Sequence, residues 1–424
     1  MNEYDYIITA NDTYAHAVSD RATLPIIDGI AGDVLQKAIN NLCPPGSEKY
    51  KGGGQILLLG SFNMWGKALT INNWNKNLDD PGGTITIDGN GCTVLLFNGL
   101  AVGQHAITIS NGLNVRIRDM AIIQNQPTAG SAIRVEQSPA QPIAARKGIF
   151  HDLDVFSAST TDYAFYAENF FEFDMQRVKV RCPANGMGSL MLYNNSTTTC
   201  FGNSKFQNMT LLAPDRNDGA ALKIGAINNA FPMNLNSFDT INIGTNRYAP
   251  GQTHGIGIWI EGGANTVFNH IDVEYMPTSL HLPAARRVEF LSGYIHPDGK
   301  NAQGIYCGAG TNGCKFNLEV ACDDVSTVIA EDTGSYKEPN CYNLSLSGAA
   351  DPSKITVPAG ACNTVTLRLN GSDIQRNRLP HLTITGNLQL PAGNNNPVEG
   401  NMWIESGKLY VMIGGVKKIV SLKW

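Results

Sequence analysis

The sequence predicts an all-β fold, a parallel β-helix, on three observations. Between Ile133 and Leu367 an aromatic residue recurs with aliphatic residues at +3 and +5: Phe150 with Leu153 and Val155, Phe206 with Met209 and Leu211, Phe238 with Ile241 and Ile243, and Phe268 with Ile271 and Val273. That alternation is the period of a strand with one buried face, and its return every two to three dozen residues is the period of a solenoid. A second column precedes these strands, with apolar residues two apart: Ile133/Val135, Phe165/Ala167, Leu190/Leu192, Leu222/Ile224, Ile258/Ile260, Leu280/Leu282, Ile305/Cys307 and Val328/Ala330. Finally, 44 glycines with only 16% charged residues in a chain of 424 supply turns throughout and point away from helical or α/β enzymes.

Taken in order, residues 1–30 alternate as short strands, with Tyr4, Tyr6 and Ile8 on one face and an Asn11-Asp12 turn before Tyr14 and His16. They form a small cap or attachment segment. A helix over 33–42 follows from Val34, Leu35, Ala38, Ile39 and Leu42 at helical spacing, stopped by Pro44-Pro45-Gly46. After Gly52-Gly53-Gly54 come strands at Gln55–Leu59, Leu69–Ile71 and Thr84–Ile87, the last running into Asp88-Gly89-Asn90-Gly91. Coils continue from Ile107/Ile109 and Val115/Ile117 to the end of the 31–375 unit. Cys341 and Cys362 stand where the Phe column would continue, because Leu344/Leu346 and Val365/Leu367 follow them at +3 and +5. Inward stacking on neighbouring turns is favoured there over a disulfide, although the spacing of about 5 Å allows one. A linker with short strands at 376–396 leads to three strands in 397–424, around Trp403, Tyr410 and Val416–Val420, joined by Ser406-Gly407 and Gly414-Gly415 turns.

Residues 34–42 and 85–91 resemble the start of pectate-lyase-like β-helices, polysaccharide lyases and hydrolases whose fold also serves many viral tailspikes. In that family a helix of the form L-Q-x-A-I-x-x-L covers the open end of the coil, and a strand ends near I-D-G-N-G. Thr385–Leu390 and Asn396–Val411 resemble the C-terminal parts of phage tail fibres and tailspikes. The resemblance implies a right-handed β-helix with an N-terminal capping helix, a C-terminal β-meander that trimerises, and a homotrimer attached to virion tail or baseplate proteins.

A net charge of −5 without a basic stretch argues against nucleic acid. No apolar run is long enough for membrane insertion, and Met1–Ala10 carries Glu3 and Asp5 where a signal peptide carries Lys or Arg. The expectation is synthesis in the host cytoplasm without a signal peptide, and a place in the virion tail. Nine cysteines without C-x-x-C spacing, and no dense carboxylate cluster, lead to no expected metal or cofactor.

Between the two inward positions of the second column stand outward residues: Arg134, Tyr166, Met191, Lys223, Trp259, His281, Tyr306 and Ile329. Tyr166, Trp259, His281 and Tyr306 are candidates for glycan binding, because a pyranose offers an apolar face to an aromatic ring. A subunit interface would bury them equally well. One position further stand Glu136, Glu168, Glu261 and Glu331. Glu136 and Glu168 on adjacent turns match the roughly 5 Å separation of a retaining glycosidase pair, against the plain alternative of solvated strand ends. Asp272 and Glu274 add outward carboxylates, related to Asp152 and Asp154, so the candidate catalytic set is Glu136, Glu168, Glu261, Asp272 and Glu274. His151 and His270 are expected to be hydrogen-bonded surface residues. The expected function is a tailspike or tail fibre that binds host-surface polysaccharide, with its degradation left open. The alternatives are a free polysaccharide hydrolase or lyase of the same fold and a purely structural tail-tip or baseplate component.

Overall fold

The computed structural model describes residues 4–44, 53–72, 84–110, 114–136, 147–245, 253–299, 301–322, 325–332 and 338–348, with strands at 355–356, 364–369, 402–405, 408–413 and 416–419. It is a parallel β-helix. One sheet runs from strand Tyr6–Asp12 through Gly54–Asn63, Ile85–Phe97, Asn114–Gln124, Lys147–Ser157 and onward to Thr364–Leu369, each pairing in parallel with the strand one turn later. The second sheet stacks the other column in the same way, from Leu69–Ile71 to Ile355–Thr356. The apolar residues of both sheets point inward and form one continuous core.

The +3/+5 spacing has a specific cause. Asp119, Asp152, Arg177, Asn208 and Thr240 follow two positions behind the inward residue in left-handed conformation, with φ from +51 to +59°. The register passes over them: His151 pairs with Gln176 and Leu153 with Val178, leaving Asp152 and Arg177 between. Each is a corner at which the first sheet folds round the core, and the extra residue turns a +2/+4 alternation into +3/+5. Towards the C-terminus the corner disappears. Phe316, Leu318 and Val320 pair without interruption with Tyr342, Leu344 and Leu346.

That change of spacing corrects the expected placement of Cys341. Tyr342 continues the aromatic column, and Cys341 pairs with Lys315 beside it. Cys362 lies outside the described residues. The column is longer than the sequence pattern indicated, with near-parallel rings from Phe206 through Phe238, Phe268, Phe290 and Phe316 to Tyr342, their centroids 4.5 to 5.4 Å apart. Such offset stacking adds about 0.5–1.5 kcal/mol per pair beyond burial. A second correction concerns strand Val325–Glu331 of the other sheet. An irregular register after Ala302 puts Ile329 under Ile305 and Glu331 under Cys307, so Ile329 and Glu331 point inward and Ala330 points outward. The buried Glu331 carboxylate accepts hydrogen bonds from Tyr342 Oη (2.8 Å) and Asn340 Nδ2 (3.1 Å).

The N-terminal end is closed by two devices. Strand Tyr6–Asp12 lies in parallel on Gly54–Asn63, with Tyr6 and Ile8 buried, and is itself covered by the antiparallel strands Tyr14–Val18 and Ile27–Ile30. Helix Ala31–Leu42 buries the apolar set expected for it, Val34, Leu35, Ala38, Ile39 and Leu42. Its Gln36 reaches the first strand of the second sheet: Nε2 donates to Thr70 O (2.9 Å) and Oε1 accepts from Thr70 N (2.8 Å). One amide thus satisfies a donor and an acceptor that an open sheet edge would leave bare. Among the described residues no helix is long and apolar enough to cross a membrane. Near the C-terminus, Met402–Glu405, Lys408–Ile413 and Val416–Ile419 form an antiparallel three-stranded sheet, while 376–396 lies outside the described residues.

Candidate functional site

The outward residues of the second sheet form an unbroken ladder. Thr108, Arg134, Tyr166, Met191, Lys223, Trp259, His281, Tyr306 and Ala330 pair in register from turn to turn. Strand pairing therefore spaces their side chains about 4.8 Å apart along the coil. The aromatic members do not offer free faces to solvent. The Arg134 guanidinium lies 3.6 Å over the Tyr166 ring and Lys223 Nζ lies 3.9 Å over Trp259. His281 meets Trp259 edge-on (5.1 Å) and stacks on Tyr306 (4.7 Å, 15°). Every ring is half-buried between its neighbours in the column. Two tips are distinctive. Tyr306 Oη donates to Asp332 (2.5 Å), which with burial pushes its phenol up to about 12, and Trp259 Nε1 is buried with no hydrogen-bond partner among the described residues.

The carboxylates divide into separate places. Glu136 and Glu168 are direct neighbours in register, and one guanidinium bridges them: Arg134 Nε is 3.1 Å from Glu136 and Nη2 is 3.2 Å from Glu168. Four residues not singled out from the sequence complete this cluster. Asp162, in the turn before strand Tyr163–Glu168, lies 3.8 Å from Arg134 Nη1 and 3.6 Å from His105 Nδ1, and accepts from Ser131 Oγ (2.9 Å). His105 Nδ1 accepts the Ser131 N–H (2.9 Å), which leaves the ring proton on Nε2. Asn195 Nδ2 donates to Glu168. Burial, with help from Glu136, raises the Glu168 carboxyl above the usual carboxylate range although Arg134 opposes it. Burial likewise lowers His105, against the pull of Asp162. Glu136, by contrast, has a half-exposed side chain. The pair thus has a sheltered member that keeps its proton to higher pH and an open one, the asymmetry that acid and base roles require.

Glu261 stands three rungs from Glu168, beyond Tyr193 and Gly225, and pairs with Lys223 (3.4 Å) beside Trp259. Asp272 and Glu274 belong to the other sheet, where they register with Tyr294 and His296. They do not flank Tyr166 or Trp259. Asp272 Oδ1 is buried without a hydrogen-bond partner among the described residues, and burial raises its carboxyl, with His270 opposing. Asp152 and Asp154 are held by Arg177 and Arg181. His270 contacts Ser292 Oγ (3.0 Å), as expected of a surface histidine, whereas His151 departs from that expectation: its Nε2 is buried with no hydrogen-bond partner among the described residues, 3.5 Å from Asp174. Arg134 and Lys223 were legible as ladder members. Their covering of the rings was not, because it depends on side-chain direction along the coil.

No family model and no curated protein matches the chain. Among solved structures it is similar to the A-module of the mannuronan C-5 epimerase AlgE6 from Azotobacter vinelandii, at 12% identity over 80% of this chain and 95% of that one, with a TM-score of 0.42. It is also similar to tailspike protein 3 of bacteriophage CBA120, at 11% identity over 94% of this chain and 71% of that one, with a TM-score of 0.31.

Proposed function

We propose that this chain is a virion tailspike or tail fibre that binds host-surface glycan along the outward ladder of its second sheet. The observation that supports the reading is the continuity of that ladder from Arg134 to Tyr306, in which aromatic side chains follow the cationic Arg134 and Lys223, with Met191 between the two groups, at the step of the coil. An extended sugar chain laid along the axis meets a charged or aromatic side chain on each of these rungs except that of Met191, and Tyr166, Trp259, His281 and Tyr306 bind it through ring contacts and hydrogen bonds. The molecule acts as a homotrimer, with the C-terminal three-stranded sheet as a contact and tail or baseplate proteins as further partners. Where glycan is also cleaved, Glu168 is the proton donor and Glu136 its partner, since they alone among the five candidate carboxylates share a cluster. Glu261 lines the binding face, while Asp272 and Glu274 lie on the other sheet.

The test is incubation of purified protein with host envelope polysaccharide, following retention on the protein, new reducing ends and absorbance at 235 nm. Retention is expected, weakened about tenfold by Trp259→Ala. Reducing ends that vanish in Glu168→Gln assign hydrolysis to the pair, and absorbance at 235 nm assigns a lyase instead. Retention with neither signal leaves an adhesin. Loss of retention in the unaltered protein overturns the glycan reading in favour of a structural tail component.

A further inference from the structure

A groove on the first sheet is unused by the face described above. It is a cavity of about 400 Å³, within the usual range for small-ligand sites, bordered by Asn265, Val267, Arg287, Glu289, Lys315 and Glu338. Two ladders two residues apart build it. Val267, Glu289 and Lys315 stack in register on the strands. Asn265, Arg287 and Gly313 stack at the preceding turn, where Asn265 N–H bonds to Arg286 O, Arg287 N–H to Asn312 O and Gly313 N–H to Glu338 O. The groove therefore runs along the coil over successive rungs.

Its charges are arranged as closed pairs. Arg287 grips Glu338 with two nitrogens, Nε at 2.8 Å, and Lys315 Nζ lies 2.6 Å from Glu289. Two cations thus balance two carboxylates, and the lining is rich in donors and acceptors yet neutral in sum. At the turn, Asn265 and Gly313 suit the left-handed backbone, whereas Arg287 adopts it (φ +51°) at a steric cost to its β-carbon. Leu235 does the same on the preceding rung (φ +55°) and is 57% exposed, outside the lining of the groove. Gly313 keeps the floor open, since a β-carbon there would meet Glu338 Oε2 at 2.7 Å.

We propose that this groove is a second saccharide-binding site, on a different sheet from the Arg134–Tyr306 ladder, which takes a neutral oligosaccharide of about three hexose units, one per rung at roughly 4.8 Å. The ion pairs use Arg287 Nε and Nη2 and one Glu289 oxygen, and the N–H donors and carboxylate lone pairs they leave over are the hydrogen-bonding atoms available to sugar hydroxyls. Val267 supplies apolar contact for ring C–H groups. A charged sugar would have to break one of the two ion pairs without replacing it.

The experiment is saturation-transfer NMR of the full chain against a panel of neutral gluco-, manno- and galacto-trisaccharides, with a uronate trisaccharide alongside. At least one neutral member is expected to bind, at least tenfold more weakly to Arg287→Ala and Lys315→Ala, and several-fold more weakly to Arg287→Lys, which keeps the charge and loses the fork. Trp259→Ala is expected to leave that affinity within twofold, so the groove stands or falls apart from the ladder. The Arg287 and Lys315 side chains are exposed, and unchanged thermal midpoints would show that the variants fold. The proposal is overturned if no neutral trisaccharide binds, if the uronate binds more tightly than all of them, or if the groove variants bind as the unaltered protein does.

Discussion

At the scale of single residues, Asp272 makes the clearest demand on pH. One of its oxygens is buried without a hydrogen-bond partner among the described residues, and burial raises its carboxyl above the unfolded value. A folded-state value above the unfolded one, near 3.9, means that the native chain holds the proton more tightly. The stability contributed is full below the unfolded value and is lost as pH rises through the folded one. Asp272→Asn, neutral at every pH, is therefore expected to raise the thermal midpoint slightly at pH 7 and to lose that advantage as pH approaches 4. A gap that is constant with pH would show that the carboxyl carries no penalty. The residue also shows what a sequence leaves hidden. Asp272, Glu168 and Glu261 are all outward on their strands, and alternation says nothing about which sheet, or which neighbour one turn away, each will meet. Glu136 and Glu168 were legible as a pair because both follow the same inward dipeptide position. Asp162 and His105 come from turns that carry no periodic signal.

At the scale of elements, the aromatic column and the capping helix were both readable, for different reasons. Helical spacing marked the apolar face of Ala31–Leu42, and its five expected core residues are buried. Its Gln36 acts on Thr70 through a contact across the end of the coil, which no local pattern announces. Gln36→Ala is expected to cost about 1–2 kcal/mol for two lost hydrogen bonds, measured by chemical denaturation, and Gln36→Glu to recover part of it by accepting from Thr70 N–H. The aromatic column was readable while each turn carried an extra corner residue, left-handed from Asp119 to Thr240. It was misread at Cys341 because the corner is lost after Phe290, and two fewer constraints fit the same letters. Phe238, fully buried between Phe206 and Phe268, is expected to cost about 3–5 kcal/mol when changed to Ala. Phe238→Leu should recover about half of that; a loss below 1 kcal/mol for Ala would mean that the rings above and below close the gap.

At the scale of the whole molecule, stability is a sum over neighbouring turns rather than the property of one compact centre, and the proposed trimer assigns assembly to the C-terminal sheet. Truncation at Pro397 is expected to convert a trimer to monomers by light scattering while the circular dichroism of the coil persists. A truncated chain that stays trimeric would remove that sheet from the assembly. The paired strands have one more consequence, a mechanical one. Backbone hydrogen bonds link each turn to the next along the axis, and the covalent chain runs round the circumference. Tension applied at the two ends therefore loads only the bonds between turns, in series, so the rod should yield one turn at a time at low force. Compression meets rings already 4.5 Å apart, with no room to close further. A body built this way is weak as a tether and stiff as a strut, suited to carrying thrust from one end to the other.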